Sequence, residues 1–399
     1  KENRIICPLD RHKVSFLTCI PFKELRDRIA LWNKERGLFS SLSDDKEVED
    51  LTSGMRHLNM ESDHRKRELP SQVVRYAHRD DIHAMALLPN TFVTGSKDTT
   101  IKQWTLDAKF IKAVQSSSHK GYSGWITALC SLNKGLWVSG TRDGVIKVWN
   151  QEGNEIQKIQ YNPDELTISQ YVCKHRNQKR INCIADAHFG EENSHIYTGT
   201  PRYVQLWNLT DHKIVREYIA HPNNWVYGLQ QLNDNRWGII IGPNLEVWKM
   251  ENLDDPYRTS IISAQKGVGQ PPHISSMTLL KGDSSLIALT SFDASVKIID
   301  IETKKCIQNY QEHSGRVWSV VSPSRSLLIS GADDKTARIW DARQCQSVIT
   351  LEGHPGRVSS ILVLYDNFCV TASCPDYPSS QNQAILRLWD LRNFIESRE

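Results

Sequence analysis

Between Glu312 and Asp341 the apolar positions fall into three short runs, VWSVVSP, SLLISGA and TARIWD. Each run alternates or is continuously apolar, and Gly, Ser, Asp and Pro mark the breaks, which predicts three short strands. Four polar positions stand at fixed offsets: His313 ahead of the first strand, Ser330 in the second, Asp334 in the next turn and Trp340 in the third. An indole N–H, a hydroxyl, an imidazole and a carboxylate in that order suit a hydrogen-bond chain across the three strands, because buried polar groups need such partners.

The pattern recurs. HRDDIHAMALLPNTFVTGSKDTTIKQW sets His78, Thr94, Asp98 and Trp104 at matching positions, and WITALCSLNKGLWVSGTRDGVIKVW follows His119 with Ser139, Asp143 and Trp149. Weaker copies end at Trp207, Trp248, Ile299 and Trp389, so seven units follow one another at roughly 40 to 60 residues. In spacing, turn chemistry and the endings IWD (339–341) and LWD (388–390), residues 72–399 resemble WD-repeat proteins. The resemblance implies an all-β, seven-bladed WD40 β-propeller over residues 71–399. The seventh unit stops after LWD without a fourth strand, and QVVRY (Gln72–Tyr76) is a β-branched run with no unit of its own. It is expected to supply that outer strand and fasten the ring.

Units one, two and six hold the full polar set. Unit three has lost the turn Asp, unit four most of the set, and unit five its Trp. Unit seven carries an insertion (374–383) where its Asp should stand.

Residues 1–36 read differently. Pro21 suits a helix start, and Leu25, Ile29 and Trp32 form one apolar stripe over FKELRDRIALWNKER. Cys7, Pro8, Leu9, Arg11, Ile20, Pro21, Leu25, Arg26, Ile29 and Trp32 resemble, without a gap, the C-terminal half of a U-box, the zinc-free relative of the RING domain in ubiquitin ligases. The other half would precede Lys1. The resemblance implies a short α-helical U-box remnant, with Pro8 in the loop that contacts a ubiquitin-conjugating enzyme. Arg11 would bridge that enzyme and its ubiquitin, for which a planar guanidinium is suited. Residues 37–70, rich in Ser, Asp, Glu, Lys and Arg, form a linker.

Composition narrows the chemistry. Forty-nine Lys and Arg against 46 Asp and Glu leave a net charge of +3, which argues against nucleic acid or membrane as the main target. No apolar run reaches membrane-spanning length. Nine scattered cysteines read as buried thiols of a reducing compartment, the cytoplasm or nucleus. No four-ligand Cys/His set is seen, so neither metal nor other cofactor is expected, and no covalent catalytic constellation appears.

The candidate binding positions flank the central apolar residue that opens each unit's first strand: Asp81 and His83, Trp125 and Thr127, Arg180 and Asn182, Trp225 and Tyr227, Arg316 and Trp318, Arg357 and Ser359. The fold that the resemblance implies places them on the rim of the central channel. Trp, Tyr and Arg dominate binding hot spots, and three arginines favour an acidic or phosphorylated protein segment. Two functions follow from the whole: a U-box ubiquitin ligase whose propeller captures substrate, or a non-catalytic scaffold that binds a protein or peptide on the rim.

Overall fold

The computed structural model describes residues 71–115, 124–161, 179–187, 195–221, 224–232, 236–249, 257–263, 272–375 and 383–396. The chain divides into two units, Lys1–Lys66 and Arg67–Glu399. The expected U-box helix, Pro8, Arg11, the linker and His119 all lie outside the described residues.

The second unit is built of seven four-stranded antiparallel sheets. We number them as blades one to seven in chain order and letter their strands a to d outward from the channel. The a strands are neighbours around a closed ring, from Ile82–Leu87 in blade one to Gly356–Val363 in blade seven, which returns to blade one. Blade seven takes its d strand, Ser71–His78, from the start of the second unit. That strand pairs with Ala384–Asp390 in the register Ser71↔Trp389 to Val74↔Leu386. Beyond the last strand a short helix, Arg392–Glu396, buries Phe394 and Ile395 against Trp389 and Leu327.

Hydrophobic clusters lie between blades. Val93 and Ile101 of blade one pack with Ile126, Trp137 and Trp149 of blade two. The tightest approach is glycine on strand b. A Cβ on Gly95, Gly140, Gly199 or Gly331 would stand under 3.0 Å from Ile126, Ile181, Val226 or Val358, the buried residue that opens the next blade. Gly331 falls within the run SLLISGA, as the sequence pattern had it. It lies inside the strand Leu327–Ala332 because the neighbouring blade leaves no room for a side chain. Blade four inverts the device: Gly228 on strand a stands opposite Ile240 on strand b.

The polar chain forms in full in blades one and six. Trp104 donates to Thr94 (2.9 Å), Thr94 pairs with His78 Nε2 (2.7 Å), and His78 Nδ1 donates to Asp98 (2.9 Å). In blade six Trp340 donates to Ser330 (2.7 Å), Ser330 pairs with His313 Nε2 (2.8 Å), and Nδ1 donates to Asp334 (2.7 Å). The carboxylate at Nδ1 assigns that nitrogen the proton and leaves Nε2 as acceptor. Burial works against ionisation of Asp98 and Asp334, but the histidine, the hydroxyl of Thr100 or Thr336 and a backbone N–H together outweigh it and hold both carboxyls well below the usual range.

The other blades vary the theme. Trp149 donates to Ser139 (2.9 Å) in blade two, and Asp143 accepts from Thr141. Blade seven retains more than its sequence suggested: Trp389 and His354 both meet Thr371 at 2.9 Å. Burial first, and then the Arg387 charge, push His354 down to about 4. Blade three rebuilds the chain sideways, from Trp207 to Thr198 to Gln205 to Glu217, at 3.0, 3.3 and 2.6 Å. In blade four Trp248 turns to Glu246 of its own strand (2.8 Å).

Two expectations follow. Gly331→Ala should cost about 1–3 kcal/mol in urea unfolding, because the added methyl overpacks a closed joint; an unchanged midpoint would refute the close-approach account. The second concerns acid. Below pH 6.5 an unfolded His354 takes up a proton that the buried folded imidazole refuses until about pH 4. Stability should therefore fall as pH drops from 6.5 to 4, and His354→Gln should flatten that slope by up to about 1.4 kcal/mol per pH unit. Equal slopes for the two proteins would contradict it.

Candidate functional site

A buried aliphatic residue stands at or near the start of each a strand: Ile82, Ile126, Val226, Ile274 and Val317 open theirs, Val358 is third in Gly356–Val363, and Ile181 is their counterpart in blade three. The ladder to strand b breaks register just after it, at His83, Thr127, Tyr227, Ser275, Trp318 and Ser359, so these residues leave the regular pleat. A second circle comes from the turn after strand b. Lys97, Arg142, Gly242, Phe292 and Asp333 donate their backbone N–H to the carbonyls of Asp81, Trp125, Trp225, His273 and Arg316. The rim is thus fixed by main-chain bonds before its side chains meet.

Those side chains form a chain of contacts through all seven blades. Trp125 of blade two lies beneath Lys97 (4.9 Å) and Arg142 (5.0 Å) and stands 6.1 Å from the His83 ring. Lys97 and Arg357 both reach Asp81. Arg357 covers Trp318 (5.4 Å), and Trp318 packs on Phe292 (4.9 Å) while donating to Asp333 at 2.5 Å. Arg316 also lies over Phe292 (5.4 Å). Phe292, His273, Tyr227 and Trp225 follow one another at 6.2, 5.6 and 6.2 Å, and Arg180 covers Trp225 at 5.6 Å. Cations over ring faces are held by the ring quadrupole.

The structure brings together His83, Trp125, Arg180, Trp225, Tyr227, Arg316, Trp318 and Arg357. Asp81 joins them but is 5% exposed, a buried counter-ion rather than an open contact. Thr127 and Ser359 do not face a ligand. Their hydroxyls donate to the carbonyls of Ile181 and Ile82 in the next blade, and Ser275 does the same to Val317. They stitch blades 2–3, 7–1 and 5–6. The joints after blades one, four and six carry His83, Tyr227 and Trp318 at that position, each against a ring or a guanidinium. Blade five was missed by the sequence reading. His273 and Ser275 flank Ile274 in the same H-I-S pattern, and Phe292 follows from the turn, so the signal for His273 was present but unread.

Asp81 is the charged centre of the rim. Burial raises its pKa, but the Lys97 hydrogen bond and the charges of Arg357 and Lys97 outweigh burial and hold the carboxyl low. His83 is pushed the other way, down to about 3, by burial and then by Lys97, with Arg180 and Arg357 adding to the effect. Three cations from three blades therefore act on one neutral imidazole.

Asp80, Asp81 and Cys374 place one ligand atom each within 4.8 Å of one another. They fit a cation poorly, because Asp81 is committed to Lys97 and Arg357 and burial pushes the Cys374 thiol up to about 12. Among the described cysteines Cys369 and Cys374 are buried. Cys306 and Cys345 are exposed, which corrects the expectation of uniformly buried thiols. Among the described residues no helix is long and apolar enough to cross a membrane.

Residues 70–105, 113–150 and 304–341 match the family described as WD domain, G-beta repeat. Three segments of this seven-bladed β-propeller thus carry WD repeats. Among solved structures it resembles the WD40 β-propeller domain of Doa1, with a TM-score of 0.59 over 81% of this chain and 96% of that one. Identity there is 14%, so the likeness concerns the fold. A p21-activated protein kinase-interacting protein 1-like of Danio rerio is 22% identical over 270 residues, covering 66% of this chain and 64% of that protein. The chain thus spans less than two thirds of that relative's length. Cell division control protein 4 of Saccharomyces cerevisiae is 21% identical over 76% of this chain and 35% of its own length. The E3 ubiquitin-protein ligase COP1 of Arabidopsis thaliana is 32% identical over 81 residues, 20% of this chain and 12% of that one.

Proposed function

We propose that this protein is an interaction scaffold whose propeller rim holds an acidic or phosphorylated segment of a protein partner. The single observation that carries this reading is the continuous arc of cations and aromatic rings from Trp125 to Arg180 through all seven blades. Rigid aromatic faces supply apolar contact at little entropic cost, and arginines supply forked donors for carboxylate or phosphate. The relatives named as kinase-interacting proteins agree with a protein partner. Work in the cytoplasm or nucleus fits free cysteines, two of them exposed.

The test is affinity capture with the wild-type chain, with Trp225→Ala plus Arg316→Ala on the rim, and with Ile219→Ser on the outer strand of blade three. Partners held by the wild type and the Ile219 variant but lost at least about tenfold from the rim variant support the proposal. Equal capture by all three would overturn it.

A second reading adds ubiquitin transfer. It rests on the ten U-box positions between Cys7 and Trp32, and local likeness to a named ubiquitin ligase accompanies it. The ligase would act by holding a charged conjugating enzyme near the bound segment, a contribution of proximity and orientation. Ubiquitin discharge from a charged conjugating enzyme should then occur with a chain extended upstream of Lys1 and fall at least about tenfold with Arg11→Ala. Discharge indifferent to Arg11 would remove this reading and leave the scaffold intact.

A further inference from the structure

One carboxylate oxygen, Oδ2 of Asp81, accepts from Lys97 Nζ at 2.6 Å and from Arg357 Nη2. The two cations come from different blades, one and seven, and both also lie over rim tryptophans, Lys97 over Trp125 and Arg357 over Trp318. Their side chains are 17% and 33% exposed against 7% for Asp81, so solvent reaches the cations from the side the carboxylate does not cover. Asp80 turns one oxygen to the Asp81 amide (2.7 Å) and is paired with neither cation. The Cys374 thiol, kept protonated, adds no charge. The anion that a partner would place between Lys97 and Arg357 is already present, supplied by the chain itself.

We propose that Asp81 is a built-in competitor that sets the charge threshold of the rim, so that a phosphorylated side chain is accepted where a carboxylate is refused. This rests on the rim being the binding face. A glutamate from a partner offers the two cations the same group that Asp81 offers, without the covalent tether that holds Asp81 in place, and so gains little by entering. A phosphomonoester brings nearly two charges and three acceptor oxygens, enough to share Lys97 and Arg357 with Asp81 and still reach a further donor. Arg180 of blade three supplies one. It lies over Trp225 on the same rim, and its charge acts on the His83 ring as do those of Lys97 and Arg357. Asp81 therefore acts as a specificity residue: it subtracts one carboxylate's worth of attraction from every acidic ligand.

The experiment uses the full chain and three degenerate peptide libraries, identical except for one fixed central phosphothreonine, glutamate or threonine. Wild type should retain the phosphothreonine library at least about tenfold over the glutamate library. Asp81→Asn frees both cations and should bring the glutamate library to within about threefold of the phosphothreonine one. Lys97→Met leaves the Asp81–Arg357 joint in place, with one cation answered by one carboxylate, and should lower phosphothreonine retention at least about tenfold. It serves also if Asp81→Asn loosens the ring. Equal retention of the phosphothreonine and glutamate libraries by wild type would overturn the role of Asp81 and leave the rim an acid-binding face. An unchanged ratio in Asp81→Asn, or unchanged retention in Lys97→Met, would overturn that role as well. Retention of neither library above the threonine one would overturn the acidic-partner reading of the rim, and this inference with it.

Discussion

Closure is the constraint on which everything else in the propeller depends. Seven blades that each bury a face on the next can be satisfied only if the last also finds the first. Here the chain achieves this twice, at two radii. At the circumference Ser71–Val74 completes the seventh sheet in register with Leu386–Trp389, so the first and last described strands of the ring share one set of backbone hydrogen bonds. At the channel Arg357 reaches Asp81 and Ser359 reaches the Ile82 carbonyl, joining blade seven to blade one. Without either, blades one and seven would expose strand edges and apolar faces to water.

The inner joint lies within the rim that the proposed partner would occupy. Arg357 takes part in ring closure through Asp81 and in the aromatic arc through Trp318. Ligand binding and closure therefore draw on the same guanidinium. Blades three and four, whose polar chains depart most from the pattern, contribute Arg180, Trp225 and Tyr227 to the arc. In these blades the indole finds Gln205–Glu217 by way of Thr198, or Glu246, in place of a loop histidine. The fold tolerates the exchange because the indole N–H of Trp207 and of Trp248 still has an acceptor, and adjacent blades share the burden of stability.

The all-β ring and its blade count were legible because strand period, turn residues and the Trp positions recur together. Every polar chain with its full set in sequence could be read where its residues are described, as in His78–Thr94–Asp98–Trp104. Local spacing could not reveal what depends on the next blade. Gly331 stands without a reason of its own in the run SLLISGA, and only Val358 of the neighbouring blade explains it. Thr127 and Trp125 look like equivalent flanking positions, yet one hydroxyl points to the blade-three carbonyl and the other ring to the rim. Asp81 was read as an open contact because Arg357 stands 276 residues away, beyond any repeat-level pattern, and its pairing with Lys97 of the same repeat went unread. His354 was overlooked because the insertion after it hid the missing Asp, while its bond to Thr371 survives.

The central claim is that partners meet this protein at the channel rim rather than on the circumference, where Phe110, Ile156 and Ile219 are also exposed. Site-specific photo-crosslinking tests it most directly, with a benzophenone side chain placed at Trp225 in one protein and at Ile219 in another. The account predicts a discrete crosslinked partner from the rim position and none from the outer strand. Crosslinks from the outer strand alone would contradict it and move the binding surface to the blade edges.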